Sequence, residues 1–188
     1  EDLRRISMDK LDGSERKYIK RYFETMIAPV LSPQVVDSHH PFPHLEGKVL
    51  YIAALLSHKK TERLGLIPVP ASLPPLIFLP NDKRRCLMTE DIILAFADDV
   101  FEMYDVLEKT VFCVTRNADV PLDDEPFGSE QVDLRRKMEK MLRQRRRMGV
   151  VRVELSRPVS SHFKAYFRDR FEVTDAQIFL SRNAPLRM

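Results

Sequence analysis

Glycine is scarce in this chain, five residues in 188. That scarcity excludes a glycine-rich phosphate cradle. Neither Gly-x-Gly-x-x-Gly, nor a Walker loop, nor the Gly-x-Ser-x-Gly nucleophile elbow is present. Cysteine is nearly absent as well. Cys86 and Cys113 stand 27 positions apart in apolar surroundings, which is no metal or redox spacing, and two lone thiols predict a reducing compartment. No apolar run approaches the roughly 18 residues that a membrane span needs. A start methionine and a signal-peptide core are both missing from Glu1-Asp2-Leu3-Arg4-Arg5, so a cut inside a longer polypeptide is expected there. A large excess of one charge is lacking too. The net charge of +3 is too mild to indicate wholesale nucleic-acid binding.

What is present is a globular composition, 44% apolar and 31% charged, with length enough for one domain and a full core. Gly13 and Ser14 are expected to open a first helix, the Ser14 hydroxyl capping it. Tyr18, Ile19, Tyr22, Phe23, Met26 and Ile27 recur at the spacing of one buried face, and Pro29 and Pro33 stop the helix. The uninterrupted apolar run Val49–Leu56 predicts a strand buried on both faces. Shorter strands are expected at Leu64–Val69 and Leu76–Leu79, at a sheet edge or ending early because Pro68, Pro70, Pro74 and Pro75 crowd them.

A short strand is expected at Arg85–Met88, then a helix capped by Thr89 and running to about Asp99. Val106–Thr115 reads as a strand, Pro121–Gly128 as a loop, and Ser129 to about Met148 as a helix ended by Gly149. Val150–Leu155 alternates as a half-wet strand, Ser156 and Pro158 are expected to start a helix carrying Val159, Phe163, Tyr166 and Phe167, and a last strand falls at Gln177–Leu180. Strands and helices mix without strict βαβ alternation. The expected fold is therefore α+β, a mixed β-sheet flanked by helices in a single domain preceded by a linking helix.

Three places carry candidate chemistry. Three of the five histidines, His39, His40 and His44, lie with Asp37 between Val35 and His44, the right residue types for zinc. Adjacent histidines in an extended segment point opposite ways, however, so a structural loop is expected and no metal. Thr115-Arg116-Asn117-Ala118-Asp119 ends a buried strand with polar groups. Arg116 there could hold a phosphate or carboxylate through two parallel hydrogen bonds, with Asn117 beside it, or Arg116 could pair with Asp119 or another loop while Asn117 shapes the turn. Arg135, Arg136, Lys137, Lys140, Arg143, Arg145, Arg146 and Arg147 load one helix with positive charge. Such a run is commonly a solvated face, favoured here by the helix dipole at its C-terminal end, yet it would attract a polyanion. Arg143, Arg145, Arg146 and Arg147 are the contact candidates. No nucleophile, base and orienting group assemble, and no catalytic residue is expected.

Four segments in order resemble one family. Phe-Glu-Thr-Met-Ile-Ala-Pro-Val-Leu-Ser-Pro-Gln-Val-Val-Asp-Ser-His-His-Pro-Phe (23–42) is similar to the stretch of polyphosphate kinases of the phosphohistidine type that leads from the N-terminal helical domain into the middle, or head, domain. Val-Thr-Arg-Asn-Ala-Asp-Val (114–120) resembles the family's Thr-Arg-Asn-Ala-Asp signature. The arginine-rich helix followed by Val150–Leu155 agrees in order and spacing, and Ala-Pro-Leu-Arg-Met (184–188) resembles the hand-over to the first catalytic domain. The chain departs from the family pattern at His44-Leu45-Glu46-Gly47.

This resemblance implies residues 1–30 as the end of the N-terminal helical region and linking helix, and 31–188 as the middle domain. It implies a parent enzyme that reversibly moves the terminal phosphate of ATP onto inorganic polyphosphate with magnesium. The phosphorylated histidine and its helpers lie in two C-terminal domains of that family, so the fragment alone is expected to be inactive and to need no cofactor of its own. Its expected partners are the other domains of the same chain, a second subunit and polyphosphate, without nucleic acid or a membrane span. The expected location is cytoplasmic or peripheral to a membrane. The alternative is a non-enzymatic module that binds a polyanion or protein through the basic helix 135–147. A zinc protein built on the histidine loop is the third and weakest reading. His40, the one loop histidine with a family counterpart, is expected to hydrogen-bond architecturally.

Overall fold

The structure is a computed structural model that describes residues 3–36, 42–116, 149–181 and Leu186. Strand β1 (Arg4–Arg5) leads to helix α1 (Gly13–Tyr22). The cap is Asp12, not Ser14: the Asp12 carboxylate accepts from the Ser14 and Glu15 amides, and Glu15 returns a carboxylate to the Asp12 amide. Asp12 and Ser14 are both capping types, and only Asp12 has the Glu three positions on that closes the reciprocal box. The helix widens into a π turn over Phe23–Ile27 and ends as a 3-10 turn at Ala28–Val30, where Pro29 fits the first turn. Ile19, Phe23 and Ile27 are buried, whereas Tyr18 and Met26, expected on the same face, are exposed.

The main sheet has six strands in the order β2-β4-β3-β7-β8-β9. These are β2 (Gln34–Val36), β3 (Leu50–His58), β4 (Thr61–Pro68), β7 (Asp105–Arg116), β8 (Val150–Leu155) and β9 (Ile178–Leu180). Its pairs are antiparallel except β8 with β9. A smaller sheet joins β1, β6 (Arg85–Met88) and β5 (Leu76–Phe78), with β1 and β6 parallel. Both sheets are flanked by helices, so the α+β expectation holds.

The apolar run does what its length implies. Leu50 through Leu56 are all buried, and alternate side chains serve two different cores. Leu50, Ile52, Ala54 and Leu56 pack with Ile19, Phe23 and Ile27, and with Ile92, Ile93 and Ala97 of helices α2 (Thr89–Ala95) and α3 (Ala97–Val100). Tyr51, Ala53 and Leu55 pack with Phe112, Val114, Val153 and Leu155, and with Phe163, Phe167 and Phe171 of helix α4 (Ser161–Phe171). The sheet is thus the middle of three layers, and α4 supplies the crossover that the parallel β8–β9 pair requires.

Several boundaries differ from expectation, each for a local reason. β5 is an edge strand of the small sheet as expected, whereas β4 lies inside the main sheet and stops at Pro68; the proline is tolerated because β2 pairs only with Leu64–Leu66, so no neighbour asks for an amide at Pro68 on that side. The Thr89 hydroxyl donates to the Pro74 carbonyl instead of capping, Met88 occupies the cap position, and the helix breaks at Phe96 into α2 and α3. α4 starts at Ser161 with Ser160 as its cap, because Glu108 binds both the amide and hydroxyl of Ser160 and fixes the chain there; Ser156 instead accepts from the Val111 amide. The alternation of β8 predicts Val151 on one dry side with Val153 and Leu155, yet Val151 is exposed while the other two are buried. The Ser129–Met148 helix and the Pro121–Gly128 loop lie outside the described residues.

Gly65 of β4 is set by close approach. A Cβ built there would stand 2.7 Å from the Phe101 ring and 2.8 Å from Leu56 Cδ1. Gly65→Ala is expected to cost about 1–3 kcal/mol, the usual penalty of overpacking a dense core. Chemical denaturation of the single variant, of Phe101→Leu and of the double variant tests this. The double should be more stable than the sum of the two losses predicts, and simple additivity would show that the ring contact is not the cause.

Candidate functional site

β7 runs out of the core at Arg116, opposite Val150 of β8, with an irregular register step between Thr115 and Arg116. The segment 42–49 folds back over this strand end. Leu45 is buried beneath it, the Lys48 amide donates to the Val114 carbonyl at 2.8 Å, and the Glu46 amide donates to the Tyr51 hydroxyl at 3.0 Å. Burial pushes the Tyr51 phenol up from its ordinary range, so it serves as a neutral acceptor. Lys48 takes a left-handed backbone (φ 63°), which turns the segment toward β3. Arg116 Nε donates to the Leu45 carbonyl at 2.7 Å, which fixes the guanidinium against this segment. Arg116 thus meets the segment 42–49 and stands at the edge of a depression.

That depression has a volume of about 420 Å³ and is lined by Phe42, His44, Arg116, Gly149, Val150, Arg170, Phe171 and Glu172. α4 delivers three of these from its C-terminal end. Phe171 is pulled down into the core beside Phe112 and Phe167, and Phe42 meets it edge-on at 5.4 Å and 86°. The helix stops at Glu172, which adopts the left-handed conformation (φ 54°), and the Val173 amide reaches back to the Arg168 carbonyl. Among the described residues, Arg116, Arg170, His44 and Glu172 thus share one concavity.

Of the residues named from the sequence, Arg116 and His44 come together here, with His44 exposed. Asn117, His39, His40, Arg143, Arg145, Arg146 and Arg147 lie outside the described residues. Sequence reasoning misses Arg170, Phe171 and Glu172. A basic residue in the last turn of a helix is so often explained by the dipole that Arg170 gives no separate signal.

Elsewhere the described residues offer little reactive chemistry. No three His, Cys, Asp or Glu side chains gather as metal ligands among them. Burial, with the Glu154 carboxylate next to it, pushes the Cys113 thiol up to about 12, and Cys86 is also buried. A thiol that stays protonated is a poor nucleophile. His162 meets Glu62 at 2.5 Å, and the Tyr166 hydroxyl approaches the same carboxylate at 3.4 Å, but this cluster lies on the exposed outside of α4. No helix among the described residues is long and apolar enough to cross a membrane.

The fold and site define a mixed-sheet α+β domain with a depression where its central strands end. Comparison with known proteins names the family. A family model described as polyphosphate kinase middle domain matches residues 14–188. The chain is 34% identical over 180 residues to the polyphosphate kinase of Exiguobacterium sibiricum and 33% identical over 189 residues to that of Bacillus anthracis, covering 93% and 96% of itself. The crystal structure of polyphosphate kinase from Porphyromonas gingivalis shares the fold, with a TM-score of 0.72 over 98% of this chain at 20% identity. The chain belongs to the polyphosphate kinase family, within the part that forms the middle domain. It spans about a quarter of the length of the relatives it matches, 24% and 26% of the two kinases and 26% of the solved chain.

Proposed function

We propose that this chain is the middle domain of a polyphosphate kinase, residues 1–30 forming the linking helical region and 31–188 the domain proper. The parent enzyme would move the terminal phosphate of ATP reversibly onto inorganic polyphosphate, using magnesium and a phosphohistidine held by other domains. The observation that carries this reading is the span of the family match, 14–188, against relatives about four times longer. The domain itself would act structurally, flanking the path of the phosphate chain and contributing to subunit contacts in an oligomer. Its setting would be the cytoplasm, or the periphery of a membrane.

Within it, Arg116 and Asn117 would contact phosphate, and Arg143, Arg145, Arg146 and Arg147 would add a salt-sensitive attraction for the polyanion. No three His, Cys, Asp or Glu side chains gather among the described residues, and no step of the reaction is assigned to a metal held here. Incubation of the 188-residue chain with ATP, magnesium and polyphosphate should give no chain growth and no acid-labile phosphohistidine, whereas a full-length kinase carrying the domain should give both. Turnover by the isolated chain, or none by the full-length protein, overturns the reading.

A further inference from the structure

We infer that the end of the main sheet opposite Arg116 is a two-fold contact surface between two copies of this chain. It is built from the tip of the β3–β4 hairpin and the corner between α3 and β7. The surface deepens the subunit-contact part of the proposed function and rests on it. β7 runs from Asp105 to Arg116, so at the usual strand rise about 35 Å separate this surface from the depression.

Strand pairing holds the tip and the corner side by side. Ser57 stands opposite Asp105, and His58 Nδ1 lies 3.1 Å from the Met103 carbonyl oxygen. The register of β3 against β7 shifts at the same place. Leu55 faces Glu108 and Leu56 faces Val106, which leaves Leu107 as the extra residue of a bulge. Bulges re-aim side chains, and Leu107 is 52% exposed. Met103 is 75% exposed, more than any other large hydrophobic side chain among the described residues. Covering the two would remove apolar surface from water.

Charge of both signs flanks this apolar centre. The hairpin turns through Lys59-Lys60, with His58 opposite Thr61, and both lysines take a left-handed backbone (φ 48° and 64°). Asn-Gly suits such a turn best, so the lysines there are not chosen for the turn itself. The corner carries Asp99, Glu102 and Asp105, all exposed. None of these five side chains has an ion-pair or hydrogen-bond partner among the described residues, whereas the nearby acids Asp98, Glu62 and Glu108 are engaged by Lys109, His162 and Ser160. A two-fold axis through the Met103–Leu107 centre sets the lysine tip of one copy against the acidic corner of the other, twice. A different partner would have to match both signs separately. A second copy matches them by symmetry.

Sedimentation velocity of the 188-residue chain tests the surface. The patch is small for an interface, so reversible dimers are expected between about 10 μM and 1 mM protein, fewer as salt rises. Lys59→Glu with Lys60→Glu makes both flanks acidic, and Asp99→Lys with Glu102→Lys makes both basic. Each pair of changes should weaken self-association at least about tenfold. An equimolar mixture of the two variants should form a 1:1 heterodimer, because both contacts become attractive again. All four positions are exposed, so circular dichroism should show the fold unchanged. Met103→Ser, which leaves every charge in place, should also weaken the dimer. A wild-type chain that stays monomeric at about 1 mM in low salt overturns the surface. So do charge variants that dimerise as wild type does, or a mixture without heterodimer. The subunit-contact reading fails separately, if the full-length kinase is a monomer. A full-length oligomer indifferent to Lys59→Glu with Lys60→Glu overturns this surface alone.

Discussion

Phe112→Ala is expected to destabilise the chain by about 3–5 kcal/mol, the range for removing a fully buried aromatic side chain. At this chain length that corresponds to a melting temperature lower by about 6–20 °C. Phe112 is 0% exposed and touches three other rings: Tyr51 at 5.7 Å, Phe167 at 5.2 Å and Phe171 at 6.0 Å. It is the point where β7 meets α4. The two elements that line the depression are thus tied through one side chain. Thermal and urea unfolding measure the loss directly, and Phe112→Leu should recover much of it because most of the volume is restored. A melting temperature within 2 °C of wild type in Phe112→Ala, checked by scanning calorimetry, would refute the central role assigned to this ring; the ~2 °C margin is about one kcal/mol or less at this size.

The central strands were legible because their signal is redundant. An apolar run as long as Val49–Leu56 has no amphipathic option, so both faces must be covered, and the two clusters that β3 joins are that requirement met. β7 carries the same signal in Val111-Phe112-Cys113-Val114. Boundaries were less legible where several residues compete for one role. Asp12 and Ser14 can each cap, and Glu15 decides between them. Ser156 and Ser160 can each precede a helix, and the deciding partner, Glu108, is 52 positions from Ser160. Proline near β4 suggests an edge only when both neighbouring strands are full length, and β2 is three residues long.

The site was half legible for a related reason. Arg116 is visible as a polar residue at the end of a buried strand, a position that follows from local pattern. Arg170 and Glu172 become relevant only because α4 lies across the sheet and ends beside the segment that carries Phe42 and His44. Nothing within a few residues of Arg170 encodes that meeting. Its partners are fixed by Phe171 in the core, and the long-range pairing of β8 with β9 fixes the direction of α4. The lining of a depression built from three segments is a property of the fold.

The same dependence on distant partners gives the second large effect, at the other face of the sheet. Glu15 has a side chain only 3% exposed, and Arg85 of β6 binds both of its carboxylate oxygens. The remaining support is the Asp12 amide at 3.0 Å. Arg85→Ala is expected to cost about 3–5 kcal/mol, since it strands a buried carboxylate without its counter-charge. The pair itself need not be strongly stabilising, because desolvation of both ions offsets much of their attraction. Glu15→Gln combined with Arg85→Met should therefore be clearly more stable than Arg85→Ala alone. Ile19, Phe23 and Ile27 share one cluster with Leu50 and Ile52, so α1 and the sheet should melt together in each variant. Circular dichroism at 222 nm and near-ultraviolet absorbance of the tyrosines should then give coincident transitions. Separate transitions would instead set α1 apart as a linking element that docks on an independently folded middle domain.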